Sequence, residues 1–147
     1  MTWTNAPKLT PVDELGFVYQ ITELDTGMVY IGQKKFWRTN KKAPTKYKMV
    51  DGKFLKDKEG KRILETRTTK KHIKTETDWR YYNGSCRELL EKMSNNIGNY
   101  KKEILQICKN KMDMNCWETY LQLDYWVSGN WDKLYNKVIN LRGRVRE

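Results

Sequence analysis

Hydrophobic and polar positions alternate in short runs near the start of the chain. Gly16-Phe17-Val18-Tyr19-Gln20-Ile21 and Tyr30-Ile31-Gly32 are rich in β-branched and aromatic residues, and Leu24-Asp25-Thr26-Gly27 between them carries the glycine that a tight connection needs. This pattern predicts a β-hairpin with one tyrosine, Tyr19 or Tyr30, on each strand. Further along the period changes. Ser85 stands where a helix N-cap belongs, Glu88 follows in capping-box register, and Leu89, Leu90, Met93 and Ile97 recur at spacings of three and four. A helix is predicted there, stopped by Asn95-Asn96 and Gly98-Asn99. Tyr100 to Cys108 mixes apolar and polar positions, and its second half reads as a third strand. From Met114 to Val127 the residues Trp117, Tyr120, Leu121, Leu123, Tyr125 and Trp126 predict a second helix. Its apolar surface exceeds one face, so it is expected to pack on both the sheet and the C-terminal segment. Asn130-Trp131-Asp132 breaks it, and Leu134 to Ile139 precedes a basic tail with Arg142, Arg144 and Arg146.

Length sets the scale: 147 residues suit one domain spanning 1–147 and are too few for two ordinary ones. No apolar run is long enough to span a bilayer, and the N-terminus lacks the pattern of a signal peptide, so a cytoplasmic protein is expected. Cys86, Cys108 and Cys116 are widely spaced, with His72 the one histidine, which predicts free thiols and neither a disulfide framework nor a zinc site.

Charge changes this picture because it is concentrated. Residues 34–83 hold 17 Lys plus Arg against 6 Asp plus Glu, while the rest of the chain carries 12 of each, so the whole net charge of +11 sits in one segment. Phe36, Trp37, Tyr47, Phe54 and Trp79 are interleaved with it. Cations that neutralise phosphates and flat rings that stack on bases suit a nucleic-acid groove. The candidates for that contact are Lys34, Lys35, Trp37, Lys41, Lys42, Lys70, Lys71 and His72, with Trp79 as a second stacking ring. The competing reading is a solvated loop whose charge aids solubility.

A hairpin with paired tyrosines, followed by helix, strand and helix, resembles the GIY-YIG nucleases. Tyr30-Ile31-Gly32 keeps the second motif intact, while Phe17-Val18-Tyr19 keeps the tyrosine of the first and moves its glycine to position 16. Leu89 to Leu105, with Gly98, Tyr100 and Glu103-Ile104-Leu105, is similar to the family's middle section. Glu118 falls where the family has its metal-binding glutamate, and Asn136 after Tyr135 matches its Tyr-Asn pair. Gly32-Gln33-Lys34-Lys35-Phe36-Trp37 and Tyr82-Asn83-Gly84-Ser85 look most like small phage-encoded members related to homing endonucleases. The resemblance implies an α/β (α+β) fold, a small three-stranded antiparallel sheet flanked by helices, with a long basic insert after the second strand, at about 34–83.

It also implies a function: a metal-dependent endonuclease that hydrolyses phosphodiester bonds in duplex DNA, as a monomer or homodimer, by nicking or double-strand cleavage. Glu118 would hold one Mg²⁺ or Mn²⁺, since a single carboxylate suits an ion that keeps several waters and binds substrate phosphate. Tyr19 would take a proton if a nearby cation favoured its ionised form, and Tyr30 would orient the water or phosphate. Arg38 or Lys35 would hold the non-bridging oxygens, with Lys71 a later alternative because the insert obscures the family's arginine; Asn136 would support the site. Each residue also has a structural reading. Tyrosines suit half-buried strands, and a lone helical glutamate is usually a solvated surface group. The alternative function is a non-catalytic, basic nucleic-acid-binding protein on the same fold.

Overall fold

A computed structural model describes residues 1–42, 45–67 and 71–139. The strands are β1 Trp3–Thr4, β2 Gly16–Glu23, β3 Val29–Lys35, β4 Trp37–Lys42, β5 Thr45–Tyr47, β6 Met49–Val50, β7 Lys53–Phe54, β8 Leu64–Arg67, β9 Lys71–Glu76 and β10 Tyr100–Cys108, and the α-helices are α1 Arg87–Asn95 and α2 Lys111–Val127. They fall into two compact units, one built from Met1–Trp37 and the chain from Glu76 onward, the other from Arg38–Thr75.

The first unit is organised by a sheet of strand order β1-β10-β2-β3. The β2–β3 hairpin forms as its pattern predicts. Gly27, at a φ of +72°, turns the chain, and the Glu23 amide donates to the Met28 carbonyl at 2.8 Å. The third strand begins at Tyr100 and uses the whole of Tyr100–Cys108, shifting register between Ile104 and Gln106. The sheet has four strands where three were expected. The difference is Trp3, whose buried indole donates to the Trp79 carbonyl at 2.7 Å and packs edge-on against Phe17 and Tyr19, drawing Trp3–Thr4 into parallel register with β10.

Alternation along β2 loads both faces of the sheet. Phe17, Tyr19 and Ile21 point to one side and pack with Phe36, Trp79, Tyr100, Ile104 and the α1 residues Leu89 and Met93. Val18 points to the other, with Ile31, Cys108 and Met114 of α2. Trp79, expected as a base-stacking ring, is instead fully buried between Phe17 and Phe36. The start of α1 also differs: Cys86, not Ser85, is its N-cap, and it makes no side-chain cap hydrogen bond. No helix among the described residues is long and apolar enough to cross a membrane.

The second unit is a ribbon of nested pairs, β4 with β9 and β5 with β8, whose inner end carries the β6–β7 hairpin and a bridge between Lys56 and Arg62. The segment expected as one insert over 34–83 therefore divides: 34–37 and 76–83 belong to the sheet unit and Arg38–Thr75 forms the ribbon.

Candidate active site

Register explains how the two tyrosines meet. In the β2–β3 pair Tyr19 faces Gly32 and Ile21 faces Tyr30, so both phenols lie on the aromatic face of the sheet. Tyr19 lies across its partner: a Cβ at Gly32 would stand 2.5 Å from the Tyr19 hydroxyl oxygen and 2.7 Å from the ring carbon bearing it. Glycine is required there by space, which gives the Tyr-Ile-Gly motif a physical reason. Gly84, at a φ of +90°, brings the turn Tyr82-Asn83-Gly84-Ser85 against the same pair, and a Cβ on it would approach both the Tyr19 hydroxyl and the Tyr30 ring at 3.5 Å. Tyr82 stands edge-on to Tyr19 with ring centroids 6.0 Å apart, and the Ser85 hydroxyl lies 3.0 Å from that of Tyr30. The expected N-cap serine is thus engaged by a site tyrosine.

Two lysines brace this turn from opposite sides. Lys34, on the same face of β3 as the tyrosines, places Nζ 3.9 Å from the centre of the Tyr82 ring and 2.6 Å from Asp78 Oδ1. Lys102 of β10, 1% exposed, donates to the Tyr82 carbonyl at 2.9 Å and to Asn83 Oδ1 at 3.0 Å, with its Nζ 4.4 Å from the Trp3 ring centre. Burial pushes the Lys102 ammonium down to about 8. Its hydrogen bonds fix the backbone that carries Tyr82 and Ser85.

The electrostatics keep the phenols protonated. Burial pushes the Tyr19 phenol far above its ordinary range, and the neighbouring Tyr30, Tyr82 and Glu118 act in the same direction. Tyr30 is also raised, first by burial, with its Ser85 hydrogen bond opposing. At neutral pH both are hydrogen-bond donors.

Glu118 comes from the other face. Lys111, Asn115, Glu118 and Gln122 recur at helical spacing and form a polar row on α2, whose hub is Gln33 of β3. Gln33 accepts from Lys111 at 2.7 Å and its amide donates to Asn115 Oδ1 at 3.0 Å and to Glu118 Oε2. Gln122 donates to the Ile31 carbonyl at 3.4 Å. Burial raises the Glu118 carboxyl above the usual carboxylate range, offset by the Gln33 hydrogen bond and Lys111. Glu118 thus meets β3 through Gln33, on the face opposite the phenols.

Asn136 fastens that strand. Its Oδ1 accepts from the Ile31 amide at 2.9 Å and its Nδ2 donates to the Ile31 carbonyl at 2.8 Å, while the Tyr135 amide donates to Val29 at 2.8 Å. Asn136 occupies the outer edge of β3 as a neighbouring strand would, directly beside Tyr30 and Gly32.

Tyr19, Tyr30, Lys34, Glu118 and Asn136 therefore gather around the middle of β3. Lys35 does not: it is exposed, opposite Gly16, on the sheet face away from the tyrosines. Trp37 is half-buried, with its indole N–H donating to the Pro11 carbonyl at 2.6 Å. Arg38 belongs to the ribbon unit, as do the strand residues Lys41, Lys42, Lys71 and His72; Lys70 lies outside the described residues. Lys111 and Asn115 lie in no motif quoted above, and Gln33, Tyr82 and Lys102 lie in the family-like runs without a role having been assigned to them. The α2 row was readable as four polar residues spaced by four, three and four, although Asp113, Thr119 and Asp124 elsewhere on the helix blur it. Lys102 gives no such sign, since a lysine in a strand reads as exposed.

Among the described residues no three His, Cys, Asp or Glu side chains cluster to form a protein-only metal cage. A single partly desolvated carboxylate fits a Mg²⁺-type ion, which retains water and takes phosphate oxygens as ligands.

The family described as "Putative endonuclease segE, GIY-YIG domain" matches residues 3–139. No curated protein and no solved structure matches the chain. With nearly the whole chain covered, including the tyrosine pair, Glu118 and Asn136, this protein belongs to the phage-type segE family of GIY-YIG endonuclease domains.

Proposed function

We propose that the domain is a divalent-metal-dependent endonuclease acting on duplex DNA, with Glu118 as the protein ligand of one Mg²⁺ or Mn²⁺. The observation that carries this reading is that β3 joins two neutral phenols, packed over Gly32 on one face, to one desolvated carboxylate held by Gln33 on the other.

A bound divalent ion would offset charge on the phosphoryl oxygens and leaving group. The chain's own residues supply positioning. Tyr19 and Tyr30, held neutral, donate hydrogen bonds to a water or to phosphate oxygens, and the wall of Tyr82 and Ser85 fixes where those hydroxyls point. Lys34 is the β3 cation on the phenol face and suits a non-bridging oxygen better than Lys35, which faces away. Gln33 orients Glu118, and Asn136 fixes β3 beneath the tyrosines. These side chains act through position and charge, without a covalent step. A homing-type role is compatible with the family but adds nothing to the chemistry of the site.

The test is cleavage of supercoiled plasmid with and without Mg²⁺ by the wild type, Glu118→Ala and Tyr19→Phe at equal salt. Metal-dependent relaxed or linear product, reduced at least about a hundredfold in both variants, is expected. An inactive wild type that still binds several DNAs would replace this reading with that of a binding protein.

A further inference from the structure

The inner end of the ribbon combines features that are costly in water. Between Lys48 and Arg62 every residue is exposed, including four large apolar side chains: Met49 at 55%, Val50 at 52%, Phe54 at 41% and Leu55 at 39%. Six Lys or Arg, at 48, 53, 56, 58, 61 and 62, surround them against Asp51, Asp57 and Glu59. The arrangement is built rather than loose. Asp51 and Gly52, with φ of +50° and +74°, make the tight turn of a two-residue hairpin, which pairs Met49 with Phe54 and Val50 with Lys53. Met49 and Phe54 therefore stand side by side on one face, and the Arg62 guanidinium stacks 4.1 Å from the Phe54 ring centre. Asp57 Oδ1 accepts from the Glu59 and Lys61 amides, both at 2.9 Å, closing the neighbouring turn. The Lys48 carbonyl accepts from Leu55, and Ile63 donates to Leu55, so both turns spring from one hydrogen-bonded base.

We propose that this tip is a DNA-contacting wedge: Met49 and Phe54 press against or between base steps in a groove while the surrounding cations engage the flanking phosphates. The proposal rests on the DNA-endonuclease reading for its choice of polymer. Charge complementarity supports it independently, because 14 Lys plus Arg against 4 Asp plus Glu over Arg38–Thr75 favours a polyanion. Exposed apolar side chains gain nothing from phosphates, but base edges and unstacked steps cover them, and a two-stranded ribbon has the dimensions of a groove. Contact with DNA removes both costs at once.

The test uses the full chain in a Glu118→Gln background, so that binding is read without cleavage. The probe is a duplex of about 30 base pairs end-labelled for energy transfer. Met49→Thr/Phe54→Thr is expected to weaken binding about tenfold and to abolish a DNA bend seen with the parent, leaving the salt dependence unchanged. Met49→Leu/Phe54→Leu should restore both, and Lys53→Ala/Lys56→Ala should instead lower the salt slope by about two. Parental binding and bending by the threonine variant would overturn the wedge. So would equal losses in the threonine and leucine variants, or tip-dependent binding to phosphatidylserine vesicles without tip-dependent binding to DNA. Plasmid cleavage with an indifferent tip would leave the nuclease reading standing, and tip-dependent bending by a protein that never cleaves would leave the wedge standing alone.

Discussion

The sheet unit and the ribbon are made of opposite materials. Outside Arg38–Thr75 the chain carries 15 Lys plus Arg and 14 Asp plus Glu, close to neutral, whereas Arg38–Thr75 carries 14 against 4. The sheet unit buries Phe17, Tyr19, Phe36, Trp79 and Leu89 completely or nearly so; among the ribbon residues whose side chains are described, 38–40, 48–63 and 73–75, none is buried. A buried core holds side chains in fixed positions, which a site built on two phenols over a glycine requires. A narrow ribbon without a core has backbone pairing and turns to define it and leaves its side chains to solvent or a partner. Burial sets the character of one unit, and charge that of the other.

The strongest way to break this comparison is to remove the ribbon. Its two ends enter the sheet unit side by side, since the Thr77 amide donates to the Phe36 carbonyl at 2.9 Å and the Thr77 hydroxyl to the Lys35 carbonyl at 2.7 Å. Replacing Arg38–Thr75 by an Asn-Gly turn is expected to leave a cooperatively folded protein that retains metal-dependent cleavage at low salt. Its affinity at about 0.15 M salt should fall by at least about a hundredfold. Calorimetry checks the fold and salt-dependent binding checks the affinity. An unfolded excision variant, or one with undiminished affinity, would show that the division of labour is wrong.

A second, smaller effect sharpens the account of the site. Asn136→Ala removes two hydrogen bonds from the edge of β3 and leaves the Ile31 amide without that side-chain acceptor, at a cost of about 1–3 kcal/mol. Denaturant unfolding measures that cost. If Asn136 acts by placing Tyr30 and Gly32, kcat should fall in the variant while KM for DNA stays nearly constant. A rise in KM alone would make it a DNA contact.

What the sequence revealed follows the same division. The β2–β3 hairpin was legible because alternation, β-branched residues and a glycine turn coincide, and α2 because its apolar residues recur over several turns. Glu118 was singled out by the family pattern, and the structure places it on that helix beside Gln33. The ribbon strands were obscured because Lys and Thr dominate them and no core-facing alternation exists, although Asp51-Gly52 between Val50 and Lys53 is itself a hairpin signal. β1 escaped because two residues carry no period; what holds them is the burial of Trp3. Ser85 misled for a chemical reason, since a hydroxyl suited to an N-cap is equally suited to a phenol one turn away in space.

The smallest effect concerns a buried carboxylate remote from the tyrosine pair, and it tests whether the sheet unit depends on charge where it is placed. Glu23, 6% exposed, accepts from Tyr135 at 2.5 Å, from Thr26 at 2.8 Å and from Tyr100 at 3.2 Å, and Lys92 donates to the Tyr135 hydroxyl at 2.9 Å. These contacts join β2 and its turn, β10, α1 and the segment before Asn136. The Tyr135 hydrogen bond chiefly, then those of Thr26 and Tyr100 and the charge of Lys92, hold the Glu23 carboxyl below its ordinary range against the opposing effect of burial. A folded-state pKa below the unfolded one means that the folded protein binds the proton less tightly. The resulting stability is present above the unfolded value of about 4.3 and is lost as pH falls through the folded one. Glu23→Gln should therefore lower the urea midpoint at pH 7, and the gap to wild type should narrow steadily as the pH falls below about 4. A gap that stays constant down to pH 3 would assign the loss to packing instead of charge, and the network would then be a matter of shape alone.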